Sequence, residues 1–106
     1  MKSLAEVTEE AVHRIVDEIH PLRLVLFGSA ARDDAGPDSD LDFLVVMPDG
    51  ADRVETAYRA HRGLRGFERP CDIVVVLESE VPVQAQNVSL VIHTALTEGR
   101  ELYHAA

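Results

Sequence analysis

Apolar residues recur near the start of the chain at three- and four-residue intervals: Leu4, Val7, Ala11, Val12, Ile15, Val16 and Ile19. That spacing lines one face of an α-helix. Ser3 with Glu6, or Thr8 with the acids near it, supplies a capping signal at its start, and Pro21 stops it. The pattern then changes. Leu22–Phe27, Leu41–Met47 and Cys71–Leu77 are short, nearly unbroken apolar runs, partly β-branched and bounded by turn residues. Runs of that length and composition predict buried strands.

Between the strands the signals alternate. Gly28-Ser29 leaves the first strand at a sharp turn, and Ala30-Ala31-Arg32 suits the first turn of a short helix. Asp33–Ser39 is rich in Asp, Gly and Pro and reads as an exposed loop. Pro48-Asp49-Gly50 is a turn, followed by a helix over residues 51–65 with Val54, Ala57, Tyr58, His61 and Leu64 on its inner side. Gly63 and Gly66 weaken the last turn of that helix. After Pro82 a last helix is expected over Asn87–Thr97, with Val88, Val91, Ile92 and Ala95 inward and Gly99 closing it as a C′ residue. Residues 100–103 suit a short edge strand. Helices alternating with buried strands predict an α/β (α+β) fold, a small mixed sheet with helices packed on it. There is no repeat or linker, and 106 residues fit a single domain over 1–106.

Composition narrows the function. At 46% hydrophobic and 27% charged residues the chain has the make-up of a globular domain. Its formal net charge is −9, a poor match to nucleic acid, where phosphate neutralisation supplies most of the affinity. The same acidity suits a metal site or a basic protein partner. One cysteine, Cys71, excludes an internal disulfide. No apolar run has signal-peptide length or approaches the roughly 20 residues that span a bilayer, so the expectation is a cytoplasmic protein with no membrane partner.

The candidate chemistry lies where the first two strands meet their loop. Asp40 and Asp42 enter the second strand two residues apart, on one face, with Cα atoms roughly 6.5–7 Å apart. Two carboxylates so close repel unless a cation sits between them, and Mg²⁺ is the usual partner of hard oxygen ligands. Asp72 stands at the start of another buried strand. If the two strands are neighbours, three carboxylates converge, enough to hold two Mg²⁺ ions roughly 3.5–4 Å apart for in-line phosphoryl chemistry. A glycine lets a backbone approach phosphate closely, and a serine hydroxyl with helix N-terminal amides binds phosphate oxygens, which gives Gly28 and Ser29 a nucleotide-binding reading beside the plain reading of a turn.

Gly-Ser, ten residues, Asp-x-Asp and a third Asp on a later strand resemble the nucleotidyltransferase superfamily that includes DNA polymerase β. The match is closest to its minimal stand-alone members, the MNT domains. Gly28 and Ser29 match the family's Gly-Ser, Asp40 and Asp42 its paired aspartates, Ser39 the serine before them, Asp72 its third carboxylate, and Arg32 an arginine common there. The resemblance spans nearly the whole chain. It implies a polymerase β-like fold with catalytic and metal-binding Asp40, Asp42 and Asp72, and nucleotide-binding Gly28, Ser29, Arg32 and Asp40. It further implies Mg²⁺-dependent transfer of AMP from ATP to a hydroxyl, a tyrosine in some members, of a partner HEPN toxin, with the MNT chain as antitoxin in a hetero-oligomer. Two other outcomes remain open on the sequence: a non-catalytic antitoxin that masks its toxin, and a nucleotide-binding regulatory module.

The remaining residues carry plainer readings. Arg32 reaches either a triphosphate or Asp33 and Asp34. Arg53, Arg59, Arg62, Arg65 and Arg69 read as a solvated face, the histidines lack metal-ligand spacing, and Cys71 reads as a small buried hydrophobe. Tyr58 and Tyr103 are expected to pack, and Val81-Pro82-Val83 to form a loop anchored on the core.

Overall fold

A computed structural model describes residues 2–28, 30–31, 40–84 and 91–105. The first helix, α1 (Leu4–Ile19), begins in the capping box expected of Ser3 and Glu6: Glu6 N donates to the Ser3 hydroxyl, and Ser3 N donates to the Glu6 carboxylate. It ends at His20, which takes a left-handed conformation (φ 46°) just before Pro21. Strands β1 (Arg23–Phe27), β2 (Leu41–Met47) and β3 (Cys71–Leu77) follow, with α2 (Arg53–Gly63) between the second and third. A 3-10 turn (Glu78–Glu80), a short α3 (Val81–Gln84), α4 (Val91–Glu98) and β4 (Arg100–His104) complete the order.

The four strands form one mixed sheet in the order β3-β2-β1-β4. β1 runs antiparallel to both its neighbours, while β2 and β3 run parallel. The parallel pair needs a crossover, and α2 provides it. Alternation along the strands splits the core into two layers. Leu24, Leu26, Leu41, Phe43 and Val45 face α1 and α2, while Val25, Phe27, Leu44, Val46 and Val76 share the other face with Ala95 of α4. Both faces of β2 are covered, which is why its run is almost purely apolar. Among the described residues no helix is long and apolar enough to cross a membrane.

The helix faces depart from expectation. In α2 the buried positions are Thr56, Ala60 and, just past its end, Leu64. Val54 is 81% exposed and Tyr58 61% exposed, so neither packs inward as the periodicity predicts. The seam with α1 decides the rotation. A side chain on Gly63 would approach the Arg14 carbonyl to 3.2 Å, so this glycine lets the two helices come close rather than merely weakening a turn. Polar groups lock the same seam: Arg62 Nε donates to Glu18 at 3.0 Å, Arg59 to the Glu18 carbonyl, and Arg14 Nη1 to the Arg65 carbonyl at 3.1 Å. The Arg62 guanidinium holds the Glu18 carboxyl below its usual range. In α1, Val7, Ala11, Ile15 and Ile19 are buried, but Val12 and Val16 remain part-exposed.

At the far end, the last helix is described from Val91, and Val88 lies outside the described residues. Gly99 does close α4, its N–H bonding the Ala95 carbonyl at 2.9 Å, yet it is not among the glycines with positive φ. Its constraint is space. An added Cβ would stand 2.1 Å from the Ala95 carbonyl oxygen and 2.6 Å from Val25 Cγ1. Gly99→Ala is therefore expected to lower the urea midpoint, corresponding to a loss of about 1–3 kcal/mol, with an unchanged denaturant slope. An unchanged midpoint would remove close approach as the reason for this glycine.

Candidate active site

The end of β1 and the starts of β2 and β3 meet at one end of the sheet. Register makes the meeting specific: Phe27 pairs with Asp42 across the antiparallel ladder, and Asp42 pairs with Asp72 across the parallel one. Paired residues on adjacent strands present side chains on one face, with strands about 4.8 Å apart. Asp42 and Asp72 thus stand side by side on the face shared with Leu44, Val46 and α4. Asp40 directly precedes β2, where Leu41 N donates to the Pro70 carbonyl at 3.0 Å and fixes the strand start against β3. Asp40 and Asp72 are exposed and Asp42 is part-buried.

Gly28 leaves β1 at φ +76°, a conformation that side chains disfavour, and Ala31 N returns to its carbonyl at 3.2 Å. The Asp42 carboxylate fills the space a side chain would take there: its Oδ2 lies 2.3 Å from the position of a Cβ on Gly28. Glycine at this position is a requirement of the acid beside it. The contact places the Asp42 carboxylate on the β1 side of β2. Among the described residues no group of three His, Cys, Asp or Glu side chains closes to hold a metal ion. The carboxylates expected from the sequence share one sheet end without being drawn around one point.

Cys71 reports on this cluster. Its half-buried thiol bonds the Arg69 carbonyl, with Sγ 3.6 Å from the oxygen. Burial pushes the thiol up to about 11, Arg69 opposes the shift, and the negative charges of Asp72, Asp40 and Asp42 add to it. All three carboxylates are therefore within electrostatic reach of one atom. Arg69, read from the sequence as part of a solvated face, is the cation beside them. Its only sequence signal is its place just ahead of the third strand. Ser29, Arg32 and Ser39 lie outside the described residues. Arg53 is engaged elsewhere, in an ion pair with Glu80.

Residues 9–97 match the sequence model of a family described as the nucleotidyltransferase domain. Among solved structures, the chain is similar to a Sulfolobus solfataricus protein provisionally assigned as a nucleotidyltransferase. The identity is 22% over 93% of this chain and 78% of that one, with a TM-score of 0.62. It is likewise similar to a chain in a complex of tri-AMPylated Shewanella oneidensis HEPN toxin with MNT antitoxin. There the identity is 20% over 97% of this chain and 74% of that one, with a TM-score of 0.61. A chain in a toxin–antitoxin structure with AMP-PNP gives 21% identity, 92% and 73% coverage, and a TM-score of 0.61. At these identities the likeness is one of fold. No curated protein sequence matches the chain.

Two outcomes are expected here. Gly28→Ala drives a methyl group into the Asp42 carboxylate and strains a left-handed backbone, lowering stability by about 1–2 kcal/mol in a denaturant titration. Cys71 in the folded chain reacts with a thiol reagent at pH 8 about a hundredfold more slowly than in the unfolded chain, since thiolate sets the rate. Between pH 9 and the folded-state value near 11, the folded chain keeps a proton that the unfolded chain has lost, so this group's contribution to stability falls as pH rises. Asp72→Asn removes a neighbouring charge and speeds the folded-state reaction. An unchanged rate in that variant would separate the thiol from the acid cluster.

Proposed function

The chain belongs to the nucleotidyltransferase domain family, and we propose that it transfers AMP from ATP to a hydroxyl, a tyrosine in the favoured reading, of a partner HEPN toxin. In that role it is an antitoxin. The observation that supports the reading is the Asp42–Asp72 register beside the Gly28 turn, where the missing side chain makes room for the Asp42 carboxylate. The fold neighbours add support: one is a complex with a tri-AMPylated HEPN toxin, and another contains AMP-PNP.

The donor set of Asp40, Asp42 and Asp72 is all oxygen, the chemistry Mg²⁺ takes, and these residues would hold it. Bound there, Mg²⁺ would supply positive charge against the triphosphate and the acceptor oxygen. Asp72, exposed at the open sheet end, accepts the acceptor's proton. The acceptor oxygen bonds the α-phosphorus as the bond to pyrophosphate breaks, and pyrophosphate leaves with the electron pair of that bond. Gly28, Ser29 and Arg32, at the turn that leaves β1, are assigned to the polyphosphate oxygens. A protein acceptor brings its own surface, which suits a domain of this size.

Mixed with ATP, Mg²⁺ and a HEPN partner, the chain is expected to add the mass of AMP to the partner, read by intact-protein mass spectrometry. Asp42→Ala abolishes the gain, and Asp72→Asn slows it by about 10²–10⁴-fold. A partner left unmodified under every NTP would reject transfer. Protection from the toxin that survives a double Asp40→Ala, Asp42→Ala change would assign neutralisation to binding alone.

A further inference from the structure

Helix α1 carries more apolar surface than its core uses. Val7, Ala11, Ile15 and Ile19 are buried against the sheet, while Val12 and Val16 emerge part-exposed on the flank facing β4. There they floor an open groove of about 510 Å³ whose other wall is Tyr103. A second depression of about 280 Å³ continues the seam toward the start of β4, sharing Val12 and Glu9 and reaching Leu102. One helical rim of this seam is acidic: Glu6, Glu9 and Glu10 line the groove. Lys2 and Arg14 answer Glu10 at 3.4 and 3.9 Å, Glu6 accepts from Ser3 N, and His13 and Arg100 also line the seam, but Glu9 forms no ion pair among the described residues. A further observation points to an occupant. Thr8 lines the second depression at 4% exposure, and its hydroxyl has no hydrogen-bond partner. Buried hydroxyls left unpaired are destabilising and uncommon in folded proteins.

We propose that the α1–β4 seam is the docking site of a basic amphipathic helix of a partner protein. Charge selects the sign: three glutamates line the apolar floor, in a chain of net charge −9, so a cationic partner gains where a second copy of this chain is repelled. The edge strand selects the shape. β4 is interrupted by a register shift opposite Leu24 and Val25 and carries Arg100, Glu101 and His104, devices that resist an added strand. A helix laying its apolar side chains over Val12, Val16 and Tyr103 with lysines or arginines over the glutamates satisfies both. At Arg100 the second depression nears the sheet end that carries the acids, on the opposite face of the sheet from Asp42 and Asp72. Leu26 pairs with Arg100 and the next residue, Phe27, with Asp42, and β4 lies two strands from β2, about 10 Å. That this partner is also the AMP acceptor rests on the function proposed above; the docking itself does not.

The test is binding of a labelled 18-residue Leu/Lys amphipathic helix to the whole chain, followed by fluorescence polarisation and by amide shifts. Saturable binding is expected, with shifts confined to α1 and β4. It weakens at least tenfold in Glu9→Lys and in the double variant Val12→Ser, Val16→Ser. It persists in Glu55→Lys, which removes the same charge from α2. Equal loss in Glu55→Lys would reduce the effect to net charge and overturn the proposal. So would shifts centred on β3, or a concentration-dependent dimer abolished by Val12→Ser with Val16→Ser, which would make a second copy the occupant. Because the readout needs neither nucleotide nor acceptor, failure here with AMP transfer intact sinks only the docking site, and the reverse sinks only the transfer.

Discussion

The parallel pairing of β2 with β3 is the constraint on which everything else rests. It sets Asp42 beside Asp72, and no local feature of the chain does so. Thirty residues separate the two acids, and the crossover through α2 must place β3 against β2 in one register. A slip of a single residue would turn Asp72 to the opposite face of the sheet and bring Ile73 to the acid side. The register is held by burial. Ile73 and Val75 pack with Phe43 and Val45 in the layer beneath α1 and α2, and a slip of β3 would take both out of it.

The electrostatics follow from this geometry. Acids clustered at one sheet end repel, and Arg69 contributes positive charge beside Cys71. Asp42 leans into the space that Gly28 leaves open. The glycine at the end of β1 thus has a steric role as well as a conformational one: it leaves room for the Asp42 carboxylate.

Much of this was legible in the sequence, for reasons that differ by element. β2 and β3 were readable to the residue because their apolar runs are nearly continuous, through burial on both faces in β2 and a β-branched run in the part-buried edge strand β3, with an acid marking each entrance. The capping box of α1 was readable because it is local. The orientation of α2 was not. Its apolar positions are few, and the close approach at Gly63 and the arginines gripping Glu18 decide which side faces inward. Periodicity sees Tyr58 as apolar and cannot see that Arg62 stacks over its ring in the open, 5.9 Å from the centroid. The candidate site was legible as a list of acids. Their partners Gly28 and Arg69 acquire meaning only from cross-strand neighbours that a linear pattern does not contain.

A β1–β2 hairpin is a local structure, yet β4, the strand that flanks β1 on its other side, is the last element of the chain. During synthesis from the N-terminus, a ribosome-bound fragment ending before β3 presents Asp40 and Asp42 without their counterpart. The complete acid set exists only once the polypeptide has emerged past residue 72, and the sheet is finished later still. The order in which strands are laid down thus withholds the third carboxylate until most of the hydrophobic framework that orients it has been made.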